Sequence, residues 1–189
     1  MNKPQRHGLG WLSLLFVHAC MGLASVASAA DEGPLAPAVT FPNTEERELR
    51  SSTGKDYRLF ISTPSQKAPP GGWPVVYVVD GNAWFFPAAM QAQLRGRNPQ
   101  HHGTLPVVVV GIGYPGERLL NMQRRVYDMT PPAPVREAPP VPGGREWPAP
   151  GGADEFLDFI EKQVKPLVEA EYRIDRNRQT LFGHSLGGL

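Results

Sequence analysis

One cysteine, Cys20, occurs in the 189 residues, so no disulfide can close within the chain and none can staple its fold. An excess of charge of either sign is also missing. Nineteen Lys and Arg stand against 18 Asp and Glu, a net charge of +1, which offers no long-range attraction to nucleic acid or to an acidic membrane surface. Long apolar runs are scarce: the N-terminal one, Trp11 to Leu23, is interrupted by Ser13 and His18 and is short for a bilayer span. Metal-ligand spacing is absent, because His101 and His102 have no third ligand nearby in sequence. No metal and no cofactor are therefore expected. There is no internal repeat.

What is present is an ordinary globular balance, 41% apolar and 20% charged, with 20 glycines and 21 prolines that predict long loops. The length suits one domain. Residues 1–30 read as a signal peptide: Lys3 and Arg6 are basic, Trp11 to Leu23 is apolar, and Ala27-Ser28-Ala29 supplies small residues for cleavage. This implies a periplasmic or secreted protein with no stable membrane insertion after cleavage. Val17-His18-Ala19-Cys20 faintly resembles a lipobox, so a lipoprotein anchored through Cys20 is the alternative.

Residues 31–189 carry the fold. Asp31 to Asn43 reads as a flexible lead-in, and Gln66 to Gly72 as a Pro/Gly loop. Glu45 to Leu49 and Asp56 to Thr63 read as strands joined by a turn at Ser52-Thr53-Gly54-Lys55. Trp73 to Val79 and Leu105 to Ile112 are nearly continuous apolar runs, the mark of strands buried on both faces of a parallel sheet. A helix after Gly81 reaches Leu94, which requires Pro87 in its first turn. Arg118 to Gly152 reads as loop, densest in Pro and Gly from Pro131 onward. Asp154 to Tyr172 has helical period, with Phe156, Phe159, Ile160, Val164, Leu167 and Val168 on one face and a kink or division at Pro166. Arg178 to Phe182 is a last short strand. Alternating strands and helices after a leading hairpin predict a mostly parallel α/β sheet.

That last strand runs into Gly183-His184-Ser185-Leu186-Gly187, which has the spacing of a nucleophile elbow. Small residues on both sides let a tight strand-to-helix turn project Ser185 clear of the sheet. The N–H of Leu186, at the start of the following turn, points the same way and can stabilise an oxyanion. Asp80-Gly81-Asn82 closes the first buried strand, at the sheet end where such sites gather. The Asn82 N–H is the candidate second oxyanion donor; a plain tight turn is the other reading of these residues. The His184 ring is expected to point away from Ser185. Arg124, Arg125 and Asp128 cluster near the expected pocket mouth, either as surface pairs or, for one of them, as a substrate contact.

The segments YRLFISTP, WPVVYVVDGN, VVVVGIGYP, RRVYDMTPP, GGADEFLDFIEKQVKPLVEAEY and RQTLFGHSLGGL together resemble the putative-esterase family of α/β-hydrolases. That family includes esterase D, mycolyltransferases and ferric-siderophore esterases. Arg125 to Pro131, as R-x-x-D-x-T-P, is most similar to the enterobactin and salmochelin esterase branch. The resemblance implies the N-terminal portion of an α/β-hydrolase fold with its C-terminal strands missing. It also implies Ser185 as nucleophile, Asn82 and Leu186 N–H groups as oxyanion hole, and Arg125 as a contact for an anionic or catecholate substrate. The implied partner is a small-molecule ester, with a ferric siderophore as the leading case. In such hydrolases the acid and the histidine follow the serine, yet only Leu186 to Leu189 follow Ser185, so the chain is expected to be inactive alone. A non-catalytic exported ligand-binding protein and an acyltransferase of the same fold are the competing readings.

Signal removal predicts a mature chain starting at Ala30 or Asp31, readable by N-terminal sequencing of exported protein. An acylated Cys20 at the N-terminus would instead establish the lipoprotein.

Overall fold

The computed structural model describes residues 39–132 and 148–189. The signal-peptide and lipobox readings, most of the lead-in, and the centre of the Pro/Gly-rich stretch lie outside the described residues.

Five strands build the sheet: β1 (Thr44–Arg50), β2 (Asp56–Ser62), β3 (Trp73–Val79), β4 (Val108–Gly113) and β5 (Ile174–Phe182). Their spatial order is β1-β2-β4-β3-β5. The two leading strands form an antiparallel hairpin, β2 pairs antiparallel with β4, and β3 lies parallel to both β4 and β5. Apolar runs at β3 and β4 are explained by burial on both faces: Val75, Tyr77 and Val79 point to one side, Val78 to the other.

On the first side, Tyr57, Leu59, Ile61, Val108, Val110 and Ile112 meet a helical run consisting of α4 (Ala153–Phe159), a π-helical turn (Ile160–Val164) and α5 (Lys165–Glu171). Phe156, Phe159, Ile160, Val164 and Val168 are its buried face. Each such side chain taken out of water contributes about 1.5–3 kcal/mol. The Tyr57 ring stacks on Phe159 with centroids 4.2 Å apart. Pro166 does not divide this run. The wide turn just before it, closed by the Lys165 N–H donating to the Ile160 carbonyl, keeps the backbone helical through the proline.

On the opposite side, α1 (Gly81–Gly96) packs Phe85 and Ala89 against Phe60, Val78 and Val109. This helix starts at Gly81, directly at the end of β3, so Pro87 falls in its second turn rather than its first. The short α2 (Pro99–His102) carries His101 and His102, both exposed. Contact between α1 and β4 depends on Gly111: a Cβ there would lie 2.7 Å from the Phe85 Cβ.

Two further differences from the sequence reading matter for the site. An eight-residue helix, α3 (Met122–Met129), stands inside the segment read as loop. Strand β5 begins at Ile174, ahead of Arg178, with an irregular register between the Trp73 and Val75 pairings. It is the outer strand of the described sheet, and Leu181 and Phe182 on it are about half exposed.

Gly111→Ala should push α1 off the sheet and destabilise the fold by about 1–3 kcal/mol, measured as a lower urea midpoint; an unchanged midpoint would mean the helix can move without loss.

Candidate active site

Three chain segments converge at the carboxyl end of β3, and the sequence dictates each. The first is the turn from β3 into α1. Asp80 adopts a left-handed conformation (φ 53, ψ 44), which turns the chain from strand to helix without a loop. Asp is among the few L-residues that visit this region at modest cost. The Ala83 and Trp84 N–H groups donate to the Asp80 carbonyl, at 2.9 and 3.1 Å. Asn82 lies in the first turn of α1, where N–H groups lack a helical acceptor. Its side chain is fixed: Oδ1 accepts from the Tyr114 N–H at 2.7 Å and Nδ2 donates to the Tyr114 carbonyl at 3.0 Å.

The second segment is the elbow. Ser185 is exposed and has φ 57, the left-handed backbone that a nucleophile elbow imposes on its central residue. It opens a 3-10 turn (Ser185–Gly188) immediately after β5 and a brief extended link. Both flanking glycines are sterically required. A Cβ on Gly183 would overlap the Gly187 carbonyl, and one on Gly187 would lie 2.7 Å from Val79 Cγ2. Leu186 is the second residue of that turn, so its N–H is likewise free of a helical acceptor. The His184 ring packs on Trp84 of α1, centroids 5.0 Å apart.

The third segment is α3, whose side chains reach both turns. Arg125 Nε donates to both carboxylate oxygens of Asp80 at 3.1 Å, and Nη2 donates to Oδ2 at 2.9 Å. Nη2 also lies 3.5 Å from the His184 carbonyl, the residue before Ser185. Side-chain exposure is 6% for Arg125 and 1% for Asp80, so this ion pair is buried, not a surface pair. The guanidinium that the sequence reading offers to an anionic substrate instead faces Asp80.

One turn along α3, Asp128 accepts from the Tyr57 hydroxyl at 3.0 Å and from Arg124 Nη2 at 3.4 Å. Arg124 in turn lies over the Tyr57 and Tyr114 rings, at 4.8 and 5.0 Å. Burial pushes the Asp128 carboxyl above its usual range, against the pull of Arg124 and of the Tyr57 hydrogen bond. Asp128 is thus a structural carboxylate rather than a surface one.

The structure therefore brings Ser185, Leu186, Asn82 and Arg125 to one end of the sheet. Asp80, which the sequence reading treats only as part of a turn, is the missed member. Its signal was available: a single acidic residue ending an otherwise apolar strand has to be paired when buried. Among the described residues, no group of three or more His, Cys, Asp or Glu side chains is placed to hold a metal ion, and no helix is long and apolar enough to cross a membrane.

A serine on a strained turn after a parallel strand, facing a helix N-terminus at the neighbouring strand end, defines the α/β-hydrolase fold class. The profile of the family described as "Putative esterase" matches residues 50–189. The chain belongs to that family. It is 44% identical over 158 residues to ferri-bacillibactin esterase BesA of Bacillus subtilis, covering 83% of this chain and 54% of that protein. It is 32% identical over 187 residues to the apo-salmochelin esterase of Escherichia coli, covering 93% of this chain and 56% of that protein. The crystal structure of the BES protein from Bacillus cereus superposes with a TM-score of 0.77 at 41% identity, covering 82% of this chain and 58% of that one. The chain spans about half the length of the curated relatives it matches.

Because its folded pKa is raised, Asp128 favours the folded state most when protonated, below the unfolded value near pH 4, and this contribution is lost as pH rises through the folded pKa. Asp128→Asn removes that dependence. The urea midpoint of the wild type relative to Asp128→Asn should therefore fall as pH rises from about 4. A difference that does not vary with pH would show that the carboxyl titrates alike folded and unfolded.

Proposed function

We propose that the protein is a serine ester hydrolase acting through an acyl-enzyme, with ferric-siderophore lactones as its substrate class. The observation that carries this reading is the left-handed Ser185 between β5 and a helical turn, with the first-turn N–H of Asn82 at the neighbouring strand end. In this mechanism Ser185 Oγ attacks the ester carbonyl, and the tetrahedral oxyanion is held by the N–H groups of Asn82 and Leu186. Collapse expels the alcohol and leaves an acyl-Ser185, which water then hydrolyses. Backbone donors suit this task because they are fixed before the charge appears.

Attack also needs a base to take the serine proton. Among the described residues Ser185 Oγ makes no hydrogen bond, the His184 ring is turned to Trp84, and the Asp80 carboxylate is held by Arg125. In the proposed enzyme, base and acid come from the portion that corresponds to the other half of the relatives' length. The 189 residues alone would retain only the slight activity that an oxyanion hole and binding can give. The substrate class is carried over from the names of the relatives, several of which are siderophore esterases. Export to the periplasm, as the N-terminal pattern implies, suits a siderophore substrate.

A native cell extract treated with a fluorophosphonate probe should yield a labelled species whose adduct maps to Ser185. The purified native protein should open a ferric-siderophore lactone, and Ser185→Ala should lower that rate at least about 10³-fold. Labelling elsewhere, or turnover that survives Ser185→Ala, would overturn the assignment. Siderophore binding without turnover in the native protein would favour a binding role instead.

A further inference from the structure

The Arg125 guanidinium joins two turns that are far apart in sequence and adjacent at the site. On one side it grips Asp80 through both carboxylate oxygens, with three contacts of 2.9–3.1 Å. Asp80 is left-handed and stands two residues before Asn82. On the other side Nη2 reaches the carbonyl of His184, which stands directly before the left-handed Ser185. The remaining amino group is not free in solvent either, since Nη1 lies 4.0 Å from Met122 Sδ within α3. The same helix presents Met129 beside Gly187, whose added Cβ would lie 3.6 Å from Met129 Sδ. His184 is thus held from two directions, its carbonyl by α3 and its ring by Trp84 of α1.

We propose that Arg125 is a positioning residue: by bridging Asp80 and the His184 carbonyl it sets the spacing between the Asn82 N–H and the Ser185–Leu186 turn. The inference rests on the reading of Ser185 as nucleophile. A planar guanidinium suits this task, because its donors have fixed directions and can serve a carboxylate and a carbonyl together. A lysine ammonium is a point charge on a flexible stem. It would keep the ion pair and lose the fork, so the two turns would still fold together and the distance between their donors would loosen. Loss of alignment acts on the transition state, where the oxyanion forms, more than on the bound ester. A substrate contact would do the reverse, weakening the binding of an anionic ester and sparing a neutral one.

The test uses the native protein with Arg125→Lys, Asp80→Asn and the double variant, each assayed on a neutral aryl ester and on an anionic ester of similar size. Rates are normalised to active serine, titrated with a fluorophosphonate, so that unfolded material does not count. Arg125→Lys should lower kcat on both esters, by up to the roughly 10²–10³-fold seen when one oxyanion donor is lost, with KM within about threefold. Affinity for a trifluoromethyl ketone that forms a tetrahedral adduct should fall in parallel with kcat. Asp80→Asn should act the same way, and the double variant should be little worse than the worse single one, as expected for residues acting as a unit. A rise in KM confined to the anionic ester would overturn the proposal in favour of substrate contact. Unchanged kcat in both single variants would overturn it outright. Ser185→Ala separates the two levels: if that variant keeps its activity the nucleophile reading fails, whereas a dead Ser185→Ala beside a fully active Arg125→Lys removes only the bridge.

Discussion

A carboxylate and a guanidinium withdrawn together from water, Asp80 and Arg125, stand where three segments of the chain meet. Such a pair is a doubtful source of net stability, since desolvating both charges offsets most of their attraction. Removing one partner is another matter and costs about 3–5 kcal/mol, because the other is left buried and uncompensated. The pair therefore acts as a constraint: no arrangement of these turns is tolerable that separates the two groups. Asp80 and Ser185 both occupy left-handed backbone, a state that costs of order 1–3 kcal/mol for a non-glycine residue and persists only where the surroundings over-determine it. The geometry around Arg125 supplies that over-determination for Asp80 directly and for Ser185 through the His184 carbonyl.

Other features make this constraint possible. Arg125 reaches Asp80 because α3 lies against the elbow, with Met129 near Gly187 and Asp128 tied to the Tyr57 hydroxyl on β2. The elbow itself closes because Gly183 has no Cβ to collide with the Gly187 backbone and Gly187 has none to collide with Val79. The β3 turn is equally anchored: Asn82 clamps Tyr114 in the segment after β4, so the start of α1 is bound to the next strand as well as to its own. Packing on both faces of β3 and β4 then holds the strand ends from which these turns emerge.

Much of this was legible in the sequence, and the pattern of what was not is physical. Strands β3 and β4 announce themselves because burial on both faces leaves only apolar residues to use. The elbow is legible because its glycines are required by overlap and not by preference. Helix α3 is the main omission. Its residues Met122 to Met129 place Arg125 and Asp128 in the interior, so the helix inverts the usual rule that charge marks the exposed face, and it reads as loop. Charge misleads in the same way at β5, whose first residues, Ile174-Asp175-Arg176-Asn177, look like a turn. Asp175 there accepts from the Asn177 N–H at 3.0 Å and from Arg178 at 2.6 Å, local pairing that accompanies the irregular register. Pro87 misleads for another reason. The helix begins one residue after β3 because Asp80 makes the turn alone, a backbone choice that no periodicity reports.

A division of labour follows from the arrangement. In the proposed reaction, stabilising an oxyanion needs donors aimed in advance, and the left-handed turns, the first-turn N–H groups and the guanidinium between them would serve that need. Moving a proton needs a titratable group in contact with Ser185 Oγ, and among the described residues the two buried carboxylates at this end of the sheet are committed elsewhere, Asp80 to Arg125 and Asp128 to Tyr57 and Arg124. Those commitments would keep two buried carboxylates compatible with Ser185 as the proposed nucleophile nearby. An unpaired carboxylate beside the elbow would set a negative charge against the developing oxyanion, and would oppose at close range what the backbone donors provide. In the proposed reaction, pairing Asp80 with Arg125 would thus act twice, once by fixing the turns and once by neutralising the field at the point where negative charge must form.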